Sequence, residues 1–329
     1  VAGVSLELAI VYFLASFGVA AMAAPFIIGF LRRMRAGQEI LKYVEMHKSK
    51  GGTPTMGGII FILPVILFAP LFIRWGTPFA LVALIGSVGY GLLGFLDDFI
   101  KVKTKNNMGL RAYQKIIGQG GIAILVAVFY TMVNPEGRIL IPFFNVWWDI
   151  GFFIAPLVFF IMIATTNSVN LTDGLDGLAG MVTVVFLVFI VILSHFVDGI
   201  ANIPESAELG QLSMIIIGGL CGFLLFNANR ARVFMGDTGS LFLGGFVAMV
   251  SIFNFMGLFI LVLGVMYVVS TASVIIQVLY FKKTGGKRVF LMTPFHHHLE
   301  HRGWAEARIV WLYTIITIIA GAGLVLSFV

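Results

Sequence analysis

The sequence predicts an all-α polytopic integral membrane protein of about ten transmembrane helices, and three observations carry that prediction. Hydrophobic residues make up 60% of the 329, charged residues only 11%, and the mean hydropathy is +1.04, far from the composition of a globular domain. Apolar runs long enough to cross a bilayer, about 20 residues each, recur along the whole chain. The lysines and arginines, finally, gather in alternate loops. In so apolar a chain the net charge of +6 points to a membrane surface and not to nucleic acid.

The spans fall at 6–31, 57–73, 78–96, 116–133, 152–169, 178–197, 209–226, 240–256, 258–281 and 308–328. The first, Leu6–Leu31, is longer than a signal peptide's apolar region and has no basic residue before it, so it reads as a retained span. The eighth and ninth are parted only by Asn254 to Gly257; fusing them would reverse the side of every later loop. Of the 21 lysines and arginines, all but Arg74 and Arg138 fall in the five odd-to-even loops. The positive-inside rule makes those loops cytoplasmic and both termini extracytoplasmic.

The opposite loops are plainer. Asn134-Pro135-Glu136-Gly137 is a turn signal, and Arg138–Phe144 after it suggests a short hairpin. Trp147 and Trp148 suit an interfacial anchor. Asp198–Glu208 reads as acidic and solvated. Cys221, the one cysteine, lies in an apolar run and reads as packing, which excludes a disulfide and a cysteine metal site. No repeat or linker divides the chain, so residues 1–329 read as one catalytic transmembrane domain.

The polar residues of the five odd-to-even loops exceed what packing asks for. Asp97-Asp98 closes the third span, followed by Lys101, Lys103 and Lys105. Adjacent helical residues face about 100° apart, so the two acids need not share one role; a solvated helix end is the plain alternative, although acids there oppose the macrodipole. Asn170, Asp173 and Asp176 stand between the fifth and sixth spans, without the calcium-loop spacing. Asp237, between Gly236 and Gly239, suits a Mg²⁺ ligand, since that ion takes one or two carboxylates and fills its shell with water and phosphate. Helix N-capping is its ordinary alternative.

Phe295-His296-His297-His298-Leu299-Glu300 lies between the ninth and tenth spans. Three consecutive histidines cannot all reach one metal from a helix, but imidazoles beside basic loops suit phosphate chemistry. Lys50 to Gly58 has the glycines and hydroxyls of a phosphate loop without Walker spacing. Together these loops predict phosphoryl transfer with Mg²⁺ at the cytoplasmic face, between a lipid and an anionic soluble substrate.

Thr53-Pro54-Thr55-Met56-Gly57-Gly58, Asp97-Asp98, Asn170–Gly177, Met235-Gly236-Asp237 and Phe295–Glu300 resemble, in order and over nearly the whole chain, the motifs of the phospho-N-acetylmuramoyl-pentapeptide transferases. These belong to the polyprenyl-phosphate N-acetylhexosamine-1-phosphate transferase superfamily. The resemblance implies transfer of phospho-N-acetylmuramoyl-pentapeptide from its UDP carrier to undecaprenyl phosphate, giving lipid I and UMP for peptidoglycan synthesis, in a bacterial cytoplasmic membrane and without ATP. It implies Asp237 as Mg²⁺ ligand, Asp97 as the base on the lipid phosphate and Asp98 as a catalytic or metal-adjacent partner. It likewise implies Lys50, Thr55, Lys101, Lys115, Asn170, Asp173, Asp176, Asn227, Phe234, His296 and His297 as contacts to the nucleotide and sugar, His296 within the catalytic set. Phe234 suits uracil stacking, or interfacial packing. Direct attack by the lipid phosphate is favoured over a covalent aspartyl intermediate, and a homodimer is left open. The rival enzyme is a UDP-N-acetylglucosamine transferase of the same superfamily, disfavoured by the triple-histidine run. The rival from another class is a transporter, disfavoured because the polar residues sit at one face and no repeat is found.

Overall fold

The computed structural model describes residues 6–34, 52–73, 78–104, 109–201, 205–228 and 230–329; Lys50 lies outside them. Among the described residues nine helices are long and apolar enough to cross a membrane: α1 (Leu6–Arg33), α3 (Pro78–Thr104), α4 (Ala112–Val133), α5 (Ile154–Thr172), α6 (Leu178–Ala201), α7 (Ser206–Asn227), α8 (Gly236–Phe253), α10 (Val265–Lys283) and α12 (Glu306–Leu326). The shorter helices are α2 (Ile59–Phe68), α9 (Ile260–Leu263) and α11 (Phe295–His301).

Two expected spans look different in three dimensions. The second is α2 plus a 3-10 turn, Ala69–Leu71. At 1.5 Å per residue it reaches about 20 Å, short of the ~30 Å hydrocarbon core. Pro64 within it removes a ladder hydrogen bond, and Pro70 follows in the 3-10 turn. The ninth is broken into a 3-10 turn (Gly257–Phe259), α9 and α10, with Gly264 at the joint. The division after α8 holds: Asn254 ends that helix, and Phe255 turns the chain at φ 61°.

α8 is the axis of the bundle. From Thr238 to Phe253 every residue is buried, as expected of a helix that is apolar all round. It packs on α3 and α5. The α3 contact is close because glycines face it: a Cβ on Gly86 would meet the Met249 sulfur at 2.7 Å, on Gly91 the Phe242 ring at 3.3 Å, and on Gly94 the Asp237 carbonyl. Membrane helices lack a hydrophobic drive toward each other, so small residues that admit close packing hold them together.

The end of the bundle away from the five odd-to-even loops carries the hairpin. β1 (Arg138–Ile141) pairs antiparallel with β2 (Val146–Asp149), Arg138 opposite Asp149. It therefore extends past residue 144 and takes both tryptophans into its second strand. Trp147 packs edge-on against Phe255 at 5.7 Å, while Trp148 stays 56% exposed. The solvated reading of 198–208 needs correcting at Glu205, which is 5% exposed. Its Oε2 accepts the backbone N–H groups of Phe79 (2.7 Å) and Ala80 (3.1 Å) at the start of α3, where the helix dipole favours an anion.

A second correction concerns the Asp pair. The third span was expected to end at residue 96, but α3 runs on to Thr104, so Asp97 and Asp98 lie inside the helix and not at its end. Lys101, one turn beyond Asp97, is what this extension positions.

Candidate active site

Three helices deliver the acids and their partners to one point. Asp97 and Asp98 come from α3, Asp237 from the first turn of α8, and Lys115 from the first turn of α4. Asp97, Asp98 and Asp237 each present an oxygen within 4.8 Å of the others. Close approach of α3 and α8 at Gly94 makes this geometry; without a Cβ there, the Asp237 backbone lies directly on α3.

The lysines hold the like charges together. Lys101 Nζ reaches Asp97 Oδ2 at 2.6 Å and Asp237 Oδ2 at 3.1 Å. Lys115 Nζ reaches the same two oxygens at 2.9 and 2.6 Å. The adjacent acids do have separate surroundings, as their 100° offset predicts. Asp97 Oδ1 accepts the Leu110 N–H at 2.7 Å. Asp98 turns to α8, where its Oδ2 accepts the Thr238 N–H (2.9 Å) and hydroxyl (2.7 Å). Its Oδ1 has no hydrogen-bond partner in the protein.

The N-cap position of α8 falls on Met235 and Asp237 lies inside the first turn, so Asp237 is not the helix cap. Its Oδ2 faces the two lysines, and its Oδ1 accepts from Asn170 Nδ2 at 2.9 Å. Asn170 also donates to Ser240 Oγ at 2.8 Å, which fixes the end of α5 against α8.

The remaining loops dock on this centre. Gly57 and Gly58 donate to the Phe234 and Met235 carbonyls at 2.8 and 2.9 Å, and Phe234 donates back to Pro54 at 2.8 Å. This ladder carries Thr55 to Gly236: a Cβ on Gly236 would stand 2.5 Å from both Thr55 Oγ1 and Asp98 Oδ2. Gly236, at φ 72°, adopts a conformation that disfavours side chains. Phe234 is half-buried. Asn227 Oδ1 accepts from the Gly177 N–H and its Nδ2 donates to the Val233 carbonyl, both at 2.9 Å. Asp176 Oδ2 accepts from the Ala231 N–H at 2.8 Å. Both therefore tie the 173–177 turn to the 228–233 loop.

Asp173 keeps part of its surface in solvent, yet desolvation of its carboxyl raises its pKa well above the usual range. The charges of Asp237, Asp98 and Asp176 push the same way. On α11 the rings of His296 and His297 lie edge to face at 4.4 Å, while His298 packs elsewhere. His296 is fully buried with its ring over Gly174, where no Cβ could fit. Neither of its ring nitrogens has a protein partner. Burial, and then the neighbouring His297, push its pKa down to about 3, against a weaker upward pull from Glu300, so it works as a neutral imidazole. His297 Nδ1 meets Glu300 Oε2 at 2.6 Å, and His298 stacks on Phe295 at 5.8 Å.

Every expected site residue among the described ones thus lies in one connected cluster of loops. Thr238, Ser240, Leu110 and the contact glycines Gly94 and Gly174 belong to it too. Thr238 lay between the two glycines that frame Asp237, Gly174 lay inside Asn170–Gly177, and the glycine spacing along the third span was the available signal for Gly94. The donor set fits a divalent cation: three carboxylates, one with a buried oxygen that accepts no hydrogen bond and meets only Lys101, at 3.9 Å, next to ammonium groups that can pass to an incoming anion.

A sequence profile described as Glycosyl transferase family 4 matches residues 80–255, the stretch that contains all three clustered acids. The chain is 42% identical over 308 residues to a phospho-N-acetylmuramoyl-pentapeptide-transferase of Caldanaerobacter subterraneus subsp. tengcongensis. It is 41% identical over 313 residues to one of Listeria monocytogenes serotype 4b, and 42% over 310 to one of Listeria innocua serovar 6a. Each comparison covers 93% of this chain and 94% of the relative.

Proposed function

The chain belongs to glycosyl transferase family 4 and, within it, to the phospho-N-acetylmuramoyl-pentapeptide transferases, and from that premise we propose how its cluster performs the transfer. The donor is UDP-N-acetylmuramoyl-pentapeptide, the acceptor undecaprenyl phosphate, and the products lipid I and UMP. The observation that carries this reading is the triad Asp97, Asp98 and Asp237 crossed by Lys101 and Lys115, since phosphoryl transfer asks a protein mainly for positioning and charge neutralisation. With the loops that hold it on the cytoplasmic side, as their cations favour, the soluble donor arrives from the cytoplasm and the lipid from the inner leaflet.

An oxygen of the lipid phosphate bonds to the sugar-proximal phosphorus of the donor. The bridging bond to UMP breaks, and UMP leaves with the electron pair. Asp237 and Asp98 would hold Mg²⁺, which when bound neutralises charge on the pyrophosphate and leaving group. Lys101 and Lys115 swing from the carboxylates to phosphate oxygens as the donor enters, which frees Asp97 to take the acceptor's proton. A phosphate monoester's second pKa is roughly 6, so at neutral pH only a minority of acceptor carries that proton. Direct attack by the lipid phosphate, with no aspartyl intermediate, is the route proposed.

Thr55, Asn170, Asp173, His296 and His297 would contact the phosphates and sugar. Phe234 would stack on uracil. Asp176 and Asn227 would serve by fixing the loops that carry those contacts, and Lys50 is assigned to the donor phosphates on its motif alone.

UMP exchange in detergent tests the reading. Labelled UMP should enter the donor only when undecaprenyl phosphate is present; exchange without lipid would establish a covalent intermediate. Offering UDP-N-acetylglucosamine in place of the muramoyl donor should give no turnover, and turnover would move the chain to the rival substrate.

A further inference from the structure

The loop from α10 to α11 holds a second cluster of cations, to which the reaction described above assigns no role. Lys282, Lys283, Lys287 and Arg288 fall within seven residues at the end of α10. Among the described residues none of the four makes an ion pair. Uncompensated cations this close together repel one another, so an anion beside them is favoured.

The fold shapes that patch into a groove. Gln277 Oε1 accepts the Val289 and Phe290 N–H groups at 3.1 and 2.9 Å, and His298 Nδ1 accepts the Leu291 N–H at 3.1 Å. Residues 288–293 are thereby strapped between α10 and α11. Beneath the strap lies a cavity of about 290 Å³ walled by Val278, Phe281 and Leu291, with Lys282 and Arg288 at its rim. Arg288 leans across it with a long bond from Nη1 to the Leu291 carbonyl, 3.4 Å. Lys283 and Lys287 lie outside the groove. No residue that walls the groove touches the acid cluster or its lysines.

Cations over apolar walls, at the end of a lipid-exposed helix, match an amphiphile whose headgroup is anionic. A free phosphate would use the rim and leave the walls unused. We propose that the groove binds the headgroup of an anionic glycerophospholipid of the surrounding leaflet, whose acyl chains run along the exposed face of α10 at Val278 and Phe281. Bound there, the lipid braces the strap that leads directly into α11, and so steadies His296 over Gly174.

Native mass spectrometry of the full chain, taken from membranes doped with phosphatidylglycerol or with phosphatidylcholine alone, reads the site. The wild type retains phosphatidylglycerol preferentially. K282Q/R288Q should lower that preference roughly 30-fold, about 2 kcal/mol at about 1 kcal/mol per cation. K283Q/K287Q removes the same charge outside the groove and should keep most of it. If the first double variant does not fold, K282Q alone should show roughly a fivefold loss. Equal losses in both double variants would mean a diffuse surface field and overturn the groove. So would undiminished retention in K282Q/R288Q, or a raised KM for undecaprenyl phosphate with phosphatidylglycerol retention intact, which would give the groove to the substrate lipid.

Discussion

Both ends of α3 bury carboxylates, and they bury them in opposite ways. At its start Glu205 sits alone, with two backbone N–H groups on one oxygen and the helix dipole behind them. Roughly 27 Å along the helix, Asp97 and Asp98 face a third acid and two lysines, Lys101 reaching all three carboxylates and Lys115 two. A lone acid met by local donors is a structural device. Three acids crowded together repel one another, which an arriving cation relieves, and acids arranged in that way mark a candidate ligand site.

The sharpest way to break the comparison is to remove an acid from each end. Asp237→Ala should abolish transfer, measured as UMP release, while the chain still elutes as a folded species in detergent; retained Mg²⁺-dependent turnover would take Asp237 out of the site. Glu205→Ala should do the reverse. Losing hydrogen bonds to a charged acceptor costs about 1–3 kcal/mol, read as a lower unfolding midpoint with turnover of the folded fraction kept.

Asp97→Asn should cut turnover by orders of magnitude with donor binding kept. The deficit should shrink as pH rises from 6 to 8, because the acceptor, with a second pKa of roughly 6, then arrives already deprotonated. A deficit flat with pH would make Asp97 a positioning residue.

Smaller effects come from groups beside the cluster. Asp173 carries a carboxyl pKa raised by desolvation and by neighbouring acids. Between its ordinary value and the raised one the folded state binds more protons than the unfolded state, so stability falls as pH climbs through that window. Asp173→Asn should therefore raise the apparent melting temperature at pH 7 while lowering activity. His296 acts with the opposite sign. Its folded pKa of about 3 lies below the ordinary 6.5, so its contribution to stability, full above pH 6.5, is lost as pH falls from there toward 3. His296→Gln should flatten that part of the acid-side decline in melting temperature.

Much of this was readable from one dimension, for physical reasons. Apolar run length reports membrane crossing directly, and the loop cations separated the eighth span from the ninth. Acids and imidazoles in an apolar chain stand out because burying them is costly. Three features were hidden. α2 falls short of a full crossing because prolines interrupt a run that composition alone reads as continuous. Glu205 looked solvated because its donors, Phe79 and Ala80, are backbone groups more than a hundred residues away. The pairing of α3 with α8 at Gly94 depends on a missing Cβ, and a glycine in a membrane run does not name its neighbour.

The central claim is that Asp98 and Asp237 form a cation-binding centre beside Asp97, and manganese titration followed by electron paramagnetic resonance tests it most directly. With UDP present, the wild type and Glu205→Ala should each take up a tightly bound ion that Asp237→Ala does not hold. Undiminished uptake by Asp237→Ala would place the ion elsewhere and contradict the account.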